Sequence, residues 1–232
     1  MSTKNNVLKG IIFITLSFGL GWVCGYKRIP PSAKLVNLMR GSTNNYNDFS
    51  NKPRYELFEL SIPNPAVVFL GDSITEASIF NETFETSSRI YNRGVGGDTA
   101  VDILNRLQEI KKLKPRFVYL MVGINDLHKG ASPEQVAENI VKIHDTLAKE
   151  GIKTIVQKTI QCQPSKCSYT KEVNELNKTL ASIFKSELID LGELNSANGL
   201  DDNLTYDGVH LNKKGYEIWI KKLQQSLSSS LQ

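Results

Sequence analysis

Residues 66–75 read Ala-Val-Val-Phe-Leu-Gly-Asp-Ser-Ile-Thr. The run Ala66–Leu70 is apolar without polar alternation, and a glycine and an Asp-Ser pair suited to capping a helix close it. That describes a strand buried on both faces that turns directly into a helix. Outward from this stretch the same grammar repeats. Mostly apolar runs at Arg89–Tyr91, Phe117–Val122, Thr154–Gln157 and Leu188–Leu191 predict further strands. Between them Ala100–Ile110, Pro133–Glu150 and Lys171–Phe184 carry helical periodicity, and Lys213–Leu227 predicts a closing helix. Pro133 suits the first turn of its helix and Gly151 its end. Strand and helix alternating in this way predict an α/β domain over residues 54–232, with about five parallel strands and helices on both faces.

In such sheets ligands bind beyond the carboxyl ends of the strands, so the residues just after each strand are informative. The first is followed by Gly71-Asp72-Ser73-Ile74-Thr75 and the second by Asn92-Arg93-Gly94-Val95-Gly96-Gly97-Asp98. Gly123-Ile124-Asn125-Asp126 succeeds the third, and Asp207-Gly208-Val209-His210 comes some way after the fifth. A hydroxyl, an imidazole, a carboxylate to orient it and neutral N–H donors are the parts required for acyl transfer through a serine. Each block alone has a plainer reading. Gly-Asp-Ser serves as a βα turn with a helix cap, the glycine run as a tight turn or phosphate cradle, and Asp207-Gly208 as a turn dipeptide. Gly94, Gly96 and Gly97 lack the spacing of a dinucleotide-binding loop. The weight lies in four blocks falling at the ends of different strands.

These blocks resemble the SGNH, or GDSL-type, esterases and lipases. GDSIT at 71–75, NRGVGGDT at 92–99, GIND at 123–126 and DGVHLN at 207–212 match in order, and the likeness extends over about 65–226, including Gly215-Tyr216. Bacterial members related to platelet-activating-factor acetylhydrolase and lysophospholipase are the nearest in style. The resemblance implies a flavodoxin-like three-layer α/β/α sandwich with serine-esterase activity and neither metal nor organic cofactor. By position it implies Ser73 as nucleophile, His210 as general base and Asp207 as its partner. The oxyanion donors would be the Gly97 and Ser73 backbone N–H groups and the Asn125 amide. Asp72, Asp98 and His128 are candidates to line the site, although His128 reads equally as a surface-loop residue. The chain departs from the family after the fourth strand, where Gln161-Cys162-Gln163-Pro164 replaces a simple Pro-terminated turn, which bears on the shape of the acyl or leaving-group pocket.

The substrate is expected to be a carboxylic ester, either a lipid such as a lysophospholipid or an O-acetylated glycan. Ile79 and Phe80 would favour a lipid if they face the site, and would be core otherwise. A non-catalytic envelope module on an esterase-like fold, binding a glycan or partner, is the alternative, with a flavin-binding protein a third.

Charge separates the chain into an arm and a body. Residues 1–53 hold 7 Lys/Arg against 1 acid, so 28 − 7 = 21 bases face 24 − 1 = 23 acids in the rest. The body is slightly acidic, which argues against a nucleic-acid-binding face. Within the arm, residues 10–26 carry no charge and are rich in Ile, Leu, Phe, Val and Trp. Begun at Val7, the run makes roughly 30 Å of helix, the thickness of a bilayer core. Residues 1–28 thus read as a membrane anchor or a cleaved signal segment, with lipidation at Cys24 and a buried helix as weaker readings, and 29–53 as a spacer. The short N-terminal tail favours a body outside the cytoplasm, secreted if the segment is cleaved. Three cysteines fit no zinc spacing. In an exported body, Cys162 and Cys167 are candidates for a disulfide, and in a cytosolic one for free thiols.

Overall fold

Register, more than any single side chain, determines where the quoted blocks meet. A computed structural model describes residue 54 and residues 57–84, 88–196 and 198–230; the expected N-terminal hydrophobic helix and spacer lie outside the described residues. Four parallel strands, β1 (Val67–Gly71), β2 (Ile90–Gly94), β3 (Phe117–Met121) and β4 (Lys153–Val156), lie in the order β2-β1-β3-β4. That is the order of a flavodoxin-type sheet. Gly71 pairs in one row with Gly94 on one side and Met121 on the other. Three strands therefore end level, and the segments leaving them start side by side.

Every residue of β1 and β3 is buried. Successive side chains point to opposite faces of a strand, so such runs require cover on both sides. Val68, Leu70, Val118 and Leu120 pack with the helices α3 (Ala100–Leu113), α5 (Pro133–Ala148) and α6 (Thr170–Phe184). Val67, Phe69, Tyr119 and Met121 pack on the other face with α7 (Lys213–Ser230) and the short α2 (Phe80–Thr83). Trp219 of α7 is fully buried there and donates its indole N–H to Gln157 Oε1 at 2.7 Å. Phe80 is fully buried against Phe69 and Trp219, so of the two apolar residues weighed for the site only Ile79 is exposed.

Two long helices begin as the sequence predicts. Ser132 and Gln135 form a capping box with Pro133 at the first position, and Thr99 and Asp102 form another ahead of α3. The helix expected after Asp72 is a single turn, α1 (Ser73–Glu76), and a second one-turn helix, α4 (Ile124–His128), follows β3. A two-residue hairpin, β5 (Asn195–Ser196) and β6 (Gly199–Leu200), was not foreseen.

The expected fifth strand is a correction. Leu188–Leu191 contributes only a bridge between Ile189 and Gln157, made by Ile189 N–H to Val156 O at 2.9 Å and Lys158 N–H to Ile189 O at 3.0 Å. Asp190 ends it: its carboxylate accepts the Gly192 N–H two residues on at 2.8 Å and pairs with Lys158 Nζ at 2.8 Å. Such an Asx turn competes with a strand ladder for the backbone. The sheet has four strands with one bridge beyond β4.

Candidate active site

At the end of β1, Asp72 adopts the extended backbone of an N-cap and its Oδ1 accepts the Ile74 N–H at 3.0 Å. Ser73 is thus the first residue of α1, half-buried, with its side chain free to leave the helix axis. A four-residue helix has almost no cohesion of its own. Outside groups hold it: the Asn92 amide donates to Thr75 O at 2.7 Å and Ser78 O at 3.0 Å, and the Tyr216 hydroxyl donates to Ile74 O at 2.7 Å. Gly94 makes the approach of β2 possible, because a Cβ there would lie 2.1 Å from the Glu76 nitrogen.

Beyond β2 the chain folds back through Val95-Gly96-Gly97-Asp98, closed by Asp98 N–H to Val95 O at 3.1 Å. Gly97 has φ +80°, the third position of a type II turn, which favours glycine. Four side chains fix this turn. Glu76 Oε2 accepts the Gly96 N–H at 2.6 Å, Lys129 Nζ donates to Gly97 O at 3.3 Å, Arg106 Nε donates to Asp98 Oδ2 at 2.8 Å, and Asn125 Nδ2 donates to Asp98 O at 3.0 Å. The N–H groups of Ser73 and Gly97 have no hydrogen-bond partner among the described residues.

The Asp207–His210 loop brings the remaining groups. Asp207 Oδ1 accepts the Val209 N–H at 2.9 Å and the His210 N–H at 2.7 Å, while Oδ2 lies 2.7 Å from His210 Nδ1. Partial desolvation would raise the Asp207 carboxyl, but bonds from the His210 ring, the His210 N–H and the Val209 N–H outweigh it and hold it down at about 2. The other ring nitrogen, His210 Nε2, lies 2.9 Å from Ser73 Oγ, across 137 residues of sequence. Tyr206 is exposed, and its ring stacks on the imidazole at 5.9 Å between centroids.

A continuous relay from carboxylate to imidazole to hydroxyl, beside two unclaimed backbone N–H groups, is what acyl transfer requires. A family model described as GDSL-like Lipase/Acylhydrolase matches residues 69–218. The chain belongs to the GDSL-like lipase/acylhydrolase family. It is accordingly a carboxylic ester hydrolase. Among curated relatives it is 27% identical over 178 residues to platelet-activating factor acetylhydrolase IB subunit alpha1 of Bos taurus, covering 66% of this chain and 70% of that one. Esterase TesA of Pseudomonas aeruginosa is 27% identical over 124 residues, covering 53% of this chain and 61% of that one. Among solved structures, a chain from Bacteroides fragilis assigned as an acylhydrolase superposes with a TM-score of 0.70 at 26% identity, covering 79% of this chain and 99% of that one. A GDSL-like lipase from Bacteroides thetaiotaomicron gives a TM-score of 0.69 at 22% identity, covering 78% and 99%, which shows the shared fold.

The three candidate lining residues differ in their placement. Asp72 is fully buried, and its Oδ2 finds no hydrogen-bond partner. Burial, opposed by the Ile74 N–H, pushes its carboxyl up to about 7. The Asp98 side chain is buried and turned towards Arg106, and its backbone carbonyl accepts the Asn125 amide. His128 is exposed, with Nδ1 3.3 Å from the Tyr169 hydroxyl. His144 packs edge-on against Phe184, remote in sequence from every block of this GDSL-type site.

Sequence reasoning passed over Asp126, whose carboxylate takes both oxygens to the Ala100 N–H at 3.0 Å and so joins the GIND block to the start of α3. It also passed over Arg106 and Tyr216. Asp126 closes the quoted GIND block and Tyr216 belongs to the quoted Gly215-Tyr216 pair, but neither advertised its partner.

Cys162 and Cys167 are joined as a disulfide with Cα atoms 6.2 Å apart. The loop they close abuts the His210 loop, since Gln163 donates its N–H to Gly208 O at 2.7 Å. The departure from the family turn after β4 therefore sits against the segment that carries Asp207 and His210. Among the described residues, no group of three or more His, Cys, Asp or Glu side chains could hold a metal ion.

Proposed function

We propose that the protein hydrolyses its ester through an acyl-enzyme on Ser73. His210 takes the hydroxyl proton as Oγ bonds to the carbonyl carbon, then gives it to the departing alcohol. Asp207 holds the imidazole in the tautomer with the proton on Nδ1 and stabilises the transient imidazolium. The negative oxygen of the tetrahedral intermediate takes the Gly97 and Ser73 N–H groups and the second N–H of Asn125, whose first is committed to Asp98 O. A single such donor typically contributes about 3–4 kcal/mol to the transition state. Water then bonds to the acyl carbon as His210 takes its proton, and the imidazolium returns that proton to Ser73 Oγ as the acyl–oxygen bond breaks and the acid is released.

The observation that carries this reading is the 2.9 Å separation of Ser73 Oγ from His210 Nε2, with Asp207 on the opposite ring nitrogen. For substrate we propose a lipid such as a lysophospholipid or an O-acetylated glycan. The acetylhydrolase relative supports testing acetyl esters first. The uncharged run 10–26 supports a membrane tether, which would hold the catalytic body near either substrate. Among the described residues no helix is long and apolar enough to cross a membrane.

The test is labelling of the full-length protein with a fluorophosphonate and turnover of p-nitrophenyl acetate. Ser73→Ala should abolish both, and His210→Ala should remove nearly all turnover. A Ser73→Ala protein that still turns over the ester rejects the mechanism, and an unlabelled wild type would favour a binding role for the site.

A further inference from the structure

We propose that Arg106 is a positioning residue for the oxyanion turn, acting through Asp98. The inference rests on the esterase reading of Ser73 and His210. Arg106 sits two turns into α3, and side chains on a helix lean towards its N-terminus, so its guanidinium reaches back to the residues from which the helix starts. There it spans three segments at once. Nε donates to Asp98 Oδ2 at 2.8 Å, and Nη2 donates to Arg93 O at 2.7 Å and Gly71 O at 3.3 Å. Gly71 is two residues before Ser73, Arg93 lies near the end of β2, and Asp98 follows Gly97 directly. One rigid fork thus ties the strand that delivers the nucleophile to the turn that presents the Gly97 N–H.

Other holders of that turn are poorer candidates. The Lys129 side chain is 58% exposed and Glu76 30%, whereas Arg106 is 9% exposed and Asp98 6%. A buried pair is little weakened by solvent and salt. Behind Arg106 the charges alternate: Glu109 approaches Nη1 at 3.7 Å and also binds Arg93 Nε, and the Arg93 guanidinium lies 4.2 Å over the Phe58 ring. The guanidinium sets its donors on separate nitrogens of one rigid plane, Nε for the carboxylate and Nη2 for the two carbonyls, whereas the three donors of a lysine ammonium share a single nitrogen on a flexible stem.

On its outer side Arg106 borders a cavity of about 720 Å³, also lined by Phe58, Ser61, Asn105, Glu109 and Leu113. This opening makes a direct test available. In Arg106→Ala a small guanidinium ion can enter from solvent and occupy the vacated place. The expected result with p-nitrophenyl acetate is a kcat reduced by ten- to a hundredfold and a KM within about twofold of wild type, because the turn acts on the transition state more than on the bound ester. Millimolar guanidinium should restore kcat several-fold, and equal concentrations of sodium or ammonium chloride should not. Arg106→Lys, which keeps a cation beside Asp98 and so protects folding, should show the same loss confined to kcat. Wild-type kcat in Arg106→Lys, or restoration by sodium chloride as effective as by guanidinium, overturns the inference. Those outcomes leave the esterase reading intact, whereas a wild type that neither hydrolyses the ester nor takes a fluorophosphonate removes that reading itself.

Discussion

Replacing Asp72 with asparagine should change the pH dependence of stability in a defined direction. One carboxylate oxygen caps α1 and the other is buried without a hydrogen-bond partner. Burial, partly offset by the Ile74 N–H, moves the carboxyl from an ordinary 3.8 to about 7. Between those values the unfolded chain has released a proton that the folded protein keeps. The stability this group supplies is therefore complete below pH 4 and is lost as pH rises through 7. At 1.36 kcal/mol per pH unit, the loss accumulates to ~4 kcal/mol by pH 8. Asp72→Asn carries no titrating proton, keeps an oxygen for the Ile74 N–H, and leaves an amide nitrogen where Oδ2 lies. That last change costs about 1–3 kcal/mol at every pH. Asp98 and Asp126 are present in both proteins and largely cancel in the difference. Urea unfolding of wild type and variant between pH 4.5 and 8.5 should show the variant gaining steadily on wild type as pH rises. A difference that stays flat across that range refutes the reasoning.

Asp207→Asn should lower kcat by roughly 10⁴ with the fold intact, because the amide oxygen still accepts the Val209 and His210 N–H groups while the amide nitrogen opposes Nδ1; turnover within tenfold of wild type would contradict the role given to it. Asn125→Ala should cost 10²–10³ in kcat through the lost oxyanion donor, read from initial rates at saturating ester. Intact-mass analysis after alkylation without reductant should leave Cys162 and Cys167 unmodified, and two added groups there would exclude the bridge. Opening this short loop by reduction should lower stability by about 2 kcal/mol on the chain-entropy account, measured by chemical denaturation.

Much of the architecture was legible because it derives from burial on two faces. The apolar stretches at 67–71 and 117–121 are strands with no exposed residue, and Pro133 marks the start of α5. The strand at 188–191 misled because its apolar residues do pack inward, yet Asp190 forms a turn that no hydrophobic pattern reports. The candidate site was legible for a similar reason: Ser73, Gly97, Asn125, Asp207 and His210 stand at strand ends or in a late loop, where small polar residues and glycine interrupt apolar runs. What escaped notice was support. Arg106 looks like any basic residue on an amphipathic helix, and its reach to Asp98, Arg93 and Gly71 depends on the distance between α3 and the strand ends. The oxygens of Asp72 and Asp98 were legible as polar groups near the serine, but not as buried ones.

The tether between Tyr216 and Ile74 ties α7 to the first block. Its hydroxyl lies some 140 residues after the serine's turn, and the same helix supplies Trp219 to the sheet. A polypeptide emerging from the ribosome would thus possess every reactive group by residue 210 and still lack the brace that steadies the first of them. Activity should consequently appear only once α7 has docked, and a stop codon a few residues before Tyr216 should silence the enzyme even though each member of the relay has already been made.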